Sequence, residues 1–320
     1  MFKVLILDKL YLPMLELIRE NAPADFEIAI AEPTGTTAYE AQLSQADFIM
    51  TISEYVNEAL LEKAKNLKLV HLWGVGFDKI DVAACKARGI PVARTTGANS
   101  ISVAEHAIML MLAVYRKLVK ADTLLRSGAW PRWELRMSSY ELYHKKVGIV
   151  GFGQIGQHVA RRLKGFETET YYYDIFTQTP EKEKELGVKG NIPLDELLTT
   201  CDVITLHCPL TDETEKMMNT AMFKRMKSTS ILINCARGAI VNEADLYEAL
   251  KKGEILGAGL DVFDGEPIKA GNPLITLDNV ILLPHLAAAT RDTSAAMARI
   301  LLGNMARISQ GNAIDPFYLV

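Results

Sequence analysis

Cysteine is scarce in this sequence and follows no disulfide or metal-binding pattern. None of the four cysteines belongs to a C-x-x-C motif or has a histidine at the spacing of a zinc site. Regular spacings of this kind are typical of disulfide-bonded and zinc-binding proteins. We therefore predict reduced thiols and no metal. The cysteines are Cys85, Cys201, Cys208 and Cys235.

The sequence also lacks a strong excess of charge and a long apolar run. Its net charge is −4 and its isoelectric point is about 5.9, which does not favour binding to nucleic acid or to an anionic membrane surface. The uncharged helical stretch from His106 to Tyr115 is about half of the length that spans a bilayer. The apolar run between Lys3 and Asp8 is too short for a signal peptide. We expect a soluble, cytoplasmic protein.

Apolar strand patterns alternate with helical patterns along most of the chain. A first set begins at Lys3 and a second set begins at Val147, and alternation of this kind predicts parallel sheets covered by helices. We therefore predict two Rossmann-like, doubly wound α/β domains. The last helical stretch, residues 291–308, is expected to return to the first domain. The predicted domains are residues 1–98 plus 291–320, and residues 99–290, the latter including an arm at 100–145.

The stretch from Ser100 to Leu125 is predicted to form one long helix. Residues 107–114 are all apolar, so this part of the helix should be buried on every side. The pattern leaves two alternatives open. The helix either lies in the core of its own subunit or presents one face to a second subunit in a homodimer.

The segment from Lys145 to Asp174 has the order of a dinucleotide-binding unit. An apolar strand leads to Gly151, Gly153 and Gly156, which form G-x-G-x-x-G, and a helical pattern follows. The first glycine permits a tight turn, the second lets the backbone approach a pyrophosphate, and the third lets the helix pack closely on the strand. We therefore predict a bound dinucleotide at this turn.

Asp174 ends the second strand of this unit, where a carboxylate can bind a ribose 2′-hydroxyl. A 2′-phosphate about 4 Å from Asp174 would cost on the order of 4 kcal/mol per unit charge at an effective dielectric constant of 20. The next three residues supply no cation. The sequence therefore predicts NAD in preference to NADP.

Three later segments place polar side chains after predicted strands. They contain Arg237, Glu266 and His285. Because ligands bind outside the carboxyl ends of strands in doubly wound sheets, these side chains could meet near the nicotinamide. Each residue alone would more readily be given a structural role. Behind a dinucleotide fingerprint, the three segments together offer the proton-transfer and substrate-orienting groups that a nicotinamide enzyme must add to its cofactor.

From about residue 45 onwards the chain resembles the D-specific 2-hydroxyacid dehydrogenases. The resemblance rests on the fingerprint, on Gly74 to Asp78, on Asn99 to Glu105, on Pro209 to Thr211 and on the three segments above. It implies that the first domain binds substrate and the second binds NAD, with Arg237, Glu266 and His285 as the catalytic residues. One departure follows His285, where the family commonly has glycine and this chain has Ala287, Ala288 and Ala289.

The resemblance also implies further binding residues. Asp261 would bind the nicotinamide carboxamide, and backbone N–H groups near Val75 and Gly76 would bind the substrate carboxylate. The other five histidines are interpreted as structural. The remaining cofactor candidates are Gln154, Ile155, Cys208, Pro209, Thr214, Cys235, Ala236 and Ala287, and the remaining substrate candidates are Ser53, Asn99 and Trp133.

The expected substrate is a small 2-oxo acid, either glyoxylate, hydroxypyruvate or pyruvate, reduced to the D-2-hydroxy acid with His285 as proton donor. Trp133 lies in a G-x-W-x-x-W segment that resembles the dimer arm of glyoxylate and hydroxypyruvate reductases. A 3-phosphoglycerate dehydrogenase is a less favoured alternative, since Glu54 lies where a phosphate-binding arginine would be expected. An NAD-sensing, corepressor-like binding protein is the alternative of another class.

Overall fold

A computed structural model describes all 320 residues of the chain. The chain divides into two compact units. Unit 1 contains Met1–Asn99 and Thr290–Val320, and unit 2 contains Ser100–Ala289.

Unit 1 is built on a five-stranded parallel sheet. Its strand order is 2-1-3-4-5, which is the order of flavodoxin-like sheets. The strands are short, largely buried apolar runs, as expected when helices cover both faces of a sheet. In chain order, the elements of its first segment are β1 (Phe2–Ile6), α1 (Leu12–Asn21), β2 (Phe26–Ile30), α2 (Thr37–Gln45), β3 (Phe48–Thr51), α3 (Glu58–Lys63), β4 (Leu69–Leu72), α4 (Val82–Ala87) and β5 (Val92–Arg94).

Unit 2 is built on a seven-stranded parallel sheet. Its elements are α5 (Ser100–Tyr115), α6 (Leu118–Arg126), α7 (Arg132–Arg136), β6 (Lys146–Val150), α8 (Gln154–Leu163), β7 (Glu169–Tyr173), α9 (Pro180–Leu186), β8 (Val188–Asn191), α10 (Leu194–Thr200), β9 (Val203–Leu206), α11 (Thr220–Phe223), β10 (Ile231–Asn234), α12 (Glu243–Lys252), β11 (Gly257–Leu260) and β12 (Val280–Leu282). The last helix, α13 (Arg291–Ser309), belongs to unit 1 and packs against α1 and β4.

The strand order of unit 2 reverses at its centre. The sheet runs β12-β11-β10-β9-β6-β7-β8, so β6 lies between β9 and β7. In open parallel sheets a ligand binds outside the carboxyl ends of the strands at such a reversal. The predicted fold class, two Rossmann-like parallel-sheet domains, is confirmed.

The prediction of one helix from Ser100 to Leu125 is wrong. Helix α5 ends at Tyr115, Lys117 adopts a left-handed conformation with φ 51°, and α6 then begins at Leu118. Helix α6 buries none of its side chains, in contrast to α5. Helix α5 itself is largely buried, although Met109 remains 45% exposed.

Candidate active site

The glycine turn between β6 and α8 is closely packed at two positions and open at the third. Gly151 has φ 90°, and a Cβ atom there would lie 2.4 Å from the backbone nitrogen of Cys208. A Cβ atom at Gly156 would lie 2.4 Å from the carbonyl oxygen of Gly151. At Gly153, the residue preceding α8, a Cβ atom would meet nothing within 4 Å. Two glycines therefore hold the turn, and the third leaves open space where a pyrophosphate can approach the helix N-terminus.

Asp174 is fixed at the end of β7. Its carboxylate accepts hydrogen bonds from the backbone nitrogens of Phe152 (2.6 Å) and Phe176 (2.9 Å). Its own backbone is bound by the side chain of Asn191. Each carboxylate oxygen has more than one lone pair, so these bonds leave acceptor capacity for a ribose hydroxyl. The carboxylate is therefore held next to the glycine turn.

His285 and Glu266 form a close pair. Nδ1 of His285 lies 2.7 Å from Oε2 of Glu266, and the other carboxylate oxygen accepts a hydrogen bond from the backbone nitrogen of Phe263 at 3.1 Å. The side chains are 48% and 36% exposed. Burial acts to raise the pKa of Glu266, but the hydrogen bond and charge of His285, the Phe263 N–H and the charge of Arg237 together lower it. Glu266 is therefore held as a carboxylate that orients the imidazole.

Arg237 follows β10 and is positioned by a tight backbone contact. The side-chain amide of Asn234 donates to the carbonyl oxygen of Arg237 at 2.9 Å, and the Arg237 guanidinium donates to the carbonyl oxygen of Ala236 at 2.7 Å. The next residue, Gly238, lies against Phe263, because an added Cβ atom would be 1.9 Å from its carbonyl carbon. This close approach brings the loop of Arg237 beside the segment that leads to Glu266.

The other cofactor candidates of unit 2 lie after β6, β9, β10 and β12. Gln154 and Ile155 open α8, and the hydroxyl of Thr214 donates to the carbonyl oxygen of Pro209 at 2.7 Å. Burial raises the pKa of the Cys208 thiol to about 11, so this thiol is neutral at physiological pH. Cys235, Ala236 and Ala287 are buried.

The substrate candidates of unit 1 lie in loops after β3, β4 and β5. Neither Val75 nor Gly76 donates its backbone N–H to an acceptor in the chain. Two consecutive unbonded N–H groups are a common arrangement for anion binding. Ser53 is held by the buried Asp8, whose carboxylate accepts from the Ser53 nitrogen at 2.8 Å and from its hydroxyl at 2.7 Å. The side-chain oxygen of Asn99 is buried without a hydrogen-bond partner.

Trp133 lies in the arm of unit 2. It belongs to α7, is 64% exposed, and has the guanidinium groups of Arg132 and Arg136 at 5.0 and 5.4 Å from its ring.

The similarity of this chain to known proteins identifies its family. The model of the D-isomer specific 2-hydroxyacid dehydrogenase NAD-binding domain matches residues 108–287. The chain belongs to this family. The glyoxylate reductase of Korarchaeum cryptofilum is 38% identical over 299 residues, which are 93% of this chain and 87% of that protein. The D-3-phosphoglycerate dehydrogenase of Archaeoglobus fulgidus is 42% identical over 256 residues, which are 80% of this chain and 48% of that protein.

A solved structure supports the same assignment. The NAD-dependent formate dehydrogenase from Staphylococcus aureus, in complex with NAD, superimposes with a TM-score of 0.86 at 30% identity and covers 100% of this chain and 99% of that chain. The protein is thus an NAD-binding oxidoreductase of the D-2-hydroxyacid dehydrogenase family, which confirms the resemblance and the cofactor predicted from the sequence. None of its helices has the length and apolar character needed to cross a membrane.

Asp261 has a structural role that the sequence did not reveal. Its side chain is fully buried, and its two carboxylate oxygens accept from the backbone nitrogens of Leu286 and Ala287, each at 2.8 Å. Its carbonyl oxygen accepts from the His285 nitrogen at 2.8 Å. The sequence-derived interpretation, in which this residue binds nicotinamide, stays a prediction, and in the structure Asp261 also anchors the loop of His285. Nε2 of His106 lies 3.2 Å from the same carboxylate without hydrogen-bond geometry.

Proposed function

We propose that the protein reduces a small 2-oxo acid, such as glyoxylate, hydroxypyruvate or pyruvate, to the D-2-hydroxy acid, with His285 as the proton donor. The observation that carries this proposal is the contact of 2.7 Å between Nδ1 of His285 and Glu266. Because Nδ1 is directed at a carboxylate, Nε2 remains to donate a proton, and Nε2 has no partner in the chain. When bound, NADH supplies the hydride.

The proton is delivered from Nε2 of His285 to the oxygen of the substrate carbonyl. Glu266 keeps its negative charge, because its pKa is lowered, and its contact with Nδ1 orients the imidazole for the transfer. Proton transfer by a positioned side chain contributes about 10²- to 10⁴-fold in rate. The pair therefore supplies a general acid for the reduction and a general base for the reverse reaction.

Arg237 is proposed to bind the anionic substrate within unit 2. A guanidinium presents a planar fork of donors that matches a carboxylate and can polarise an adjacent carbonyl group. Its backbone carbonyl accepts from Asn234 and its guanidinium donates to the Ala236 carbonyl, so the loop that carries Arg237 is held before substrate binds. In unit 1, the unbonded N–H groups of Val75 and Gly76 are the proposed donors to the substrate carboxylate.

The loop after β3 favours an uncharged group over a phosphate. The Ser53 hydroxyl donates to Asp8, so it can offer only lone pairs to a ligand, and the exposed Glu54 adds a negative charge. A phosphate, which needs donors and cations, would be disfavoured there. Because the chain is 42% identical in sequence to a D-3-phosphoglycerate dehydrogenase, that activity is the second candidate.

A homodimer is proposed from the arm of unit 2. Several of its large apolar side chains are exposed, and a concentration of exposed apolar side chains is typical of an interaction site. The proposed location of the enzyme is the cytoplasm. The exposed apolar residues of the arm include Leu118, Leu125, Trp130, Trp133 and Met137.

The decisive experiment measures NADH oxidation with glyoxylate, hydroxypyruvate, pyruvate and 3-phosphohydroxypyruvate, for the wild type and for His285→Asn. His285 has φ 54°, a conformation that asparagine tolerates better than most residues, so the backbone should be kept. We expect turnover of a small acid by the wild type and a loss of about 10²- to 10⁴-fold in the variant, with unchanged NADH affinity.

His144→Asn is the matched control, because His144 is exposed and has φ 55°. It should retain full activity. Retained turnover in His285→Asn would overturn the assignment of the proton donor, and preferred turnover of the phosphorylated acid would overturn the assignment of the substrate.

A further inference from the structure

Arg94, the last residue of β5, is a partly buried cation without a counter-ion. No carboxylate of the chain lies within ion-pair distance of its guanidinium, and its Nε atom is buried without a hydrogen-bond partner. Burial lowers the pKa of this guanidinium. A charge that is removed from water without a charged partner is unfavourable, so Arg94 destabilises the folded state. A functional role would explain why it is present.

The end of β5 holds the loop that follows β4. Nη1 of Arg94 donates to the carbonyl oxygen of Val75 at 3.4 Å, and the guanidinium lies 5.5 Å from the centre of the Phe77 ring. The neighbouring Thr95 accepts from the Gly74 nitrogen at 2.9 Å and donates through its hydroxyl to the Gly74 carbonyl at 3.0 Å. Arg94 and Thr95 therefore fix both peptide groups that precede Gly76.

The geometry of one peptide links Arg94 to the Gly76 N–H group. The carbonyl group of Val75 and the N–H group of Gly76 belong to the same planar, trans peptide, so they point in opposite directions. A cation on the carbonyl side therefore directs the N–H group away from Arg94. It also polarises the peptide, which makes the N–H group a stronger donor. This N–H group has no acceptor in the chain.

Two further unpartnered atoms lie just after Arg94. The hydroxyl oxygen of Thr96 and the side-chain oxygen of Asn99 are both buried without a hydrogen bond. Buried polar atoms in folded proteins almost always have partners, so several unsatisfied atoms in one short segment indicate a place where a ligand completes the bonding.

We propose that Arg94 is a positioning residue for substrate, which aligns and polarises the Gly76 N–H group and adds positive potential for the carboxylate of the 2-oxo acid. This inference rests on the proposed function of the Val75 and Gly76 loop. Arg94 acts through the peptide and does not touch the reacting atoms. Because the carboxylate is bound equally in the ground state and the transition state, Arg94 contributes to KM and not to kcat.

The test compares the full-length wild type with Arg94→Met, which keeps the stem without the charge, and with Arg94→Lys, which keeps the charge without the fork. KM for glyoxylate and Ki for oxamate, a non-reducible analogue, are measured together with NADH affinity by fluorescence. We expect KM and Ki to rise about tenfold in Arg94→Met and about threefold in Arg94→Lys, with kcat and NADH affinity within about twofold of the wild type.

The control is Arg88→Met, since Arg88 lies in the same unit and pairs with Glu58 on the surface. Arg88→Met should change neither KM for glyoxylate nor Ki for oxamate. Wild-type KM and Ki in Arg94→Lys, whether or not Arg94→Met folds, would overturn the inference, and so would a loss confined to kcat. Failure of the wild type to turn over any 2-oxo acid or to bind oxamate would instead overturn the proposed function.

Discussion

Replacing Glu266 with glutamine tests how much the carboxylate charge contributes to catalysis. An amide of the same shape has one acceptor oxygen, so it can accept from the Phe263 nitrogen while its NH2 group donates to Nδ1 of a neutral imidazole. The contact keeps its shape while the charge, and the acceptor for an Nδ1–H group, are lost. Two unit charges about 4 Å apart interact by about 1 kcal/mol in water and about 4 kcal/mol at an effective dielectric constant of 20.

The exposure of the two side chains decides between these limits. His285 is 48% exposed and Glu266 is 36% exposed, so the site is neither dry nor fully solvated. The interaction of the Glu266 charge with positive charge in the site is therefore about 2 kcal/mol, since screening by solvent reduces it. Each 1.36 kcal/mol corresponds to about tenfold in rate, so kcat should fall about 30-fold in Glu266→Gln.

The assay is steady-state reduction of glyoxylate with saturating NADH, with NADH affinity measured separately by fluorescence. Glu181→Gln, which removes an exposed carboxylate on α9, is the control and should behave as the wild type. An unchanged kcat in Glu266→Gln would refute the electrostatic role. A fall in kcat together with a loss of NADH affinity would show that the loop had moved, and the charge argument would then be withdrawn.

Three other predictions concern the cofactor and stability. Asp174→Asn should lower the preference for NADH over NADPH by about tenfold or more, measured as the ratio of kcat/KM, because it removes the charge that repels a 2′-phosphate. Gly153→Ala should leave the melting temperature unchanged, since its Cβ atom meets nothing, but should weaken NADH binding by about tenfold or more. Burial lowers the pKa of His71 to about 4, and its unfolded-state pKa is about 6.5, so protonation of the unfolded chain should remove about 3 kcal/mol of stability as the pH falls from 6.5 to 4. In His71→Gln this loss should be absent when the unfolding midpoint is measured against pH.

The strands and the glycine turn were predictable because each depends on nearby residues. A strand that is buried on both faces reads as a short apolar run, as Val203–Leu206 does. The turn at Gly151 and Gly156 was predictable because no other residue type fits the contacts found there. The roles assigned to Arg237, Glu266 and His285 depended on the resemblance. A polar residue that follows a strand does not by itself indicate which other polar residues it will contact in the folded protein.

The break between α5 and α6 and the strand β8 were missed for a different reason. Apolar residues continue at helical spacing beyond Tyr115, and the residue that breaks the helix is Lys117 instead of a glycine or proline. Strand β8 has the sequence Val-Lys-Gly-Asn and lies at the edge of the sheet, so it needs little apolar character. In both cases the surroundings of the segment, which the local sequence does not describe, set the conformation.

The alanines after His285 are accounted for by the way the loop is held. A glycine is needed where the backbone has positive φ or lacks room for a Cβ atom. In this loop the left-handed residue is His285 itself, and no alanine of the loop has positive φ. The N–H groups of Leu286 and Ala287 are turned inwards to Asp261, and the small side chain of Ala287 is buried against the core beside α5. The backbone bonds to one buried carboxylate therefore orient the loop of His285, so the departure from the family at residues 287–289 leaves the position of the imidazole unchanged.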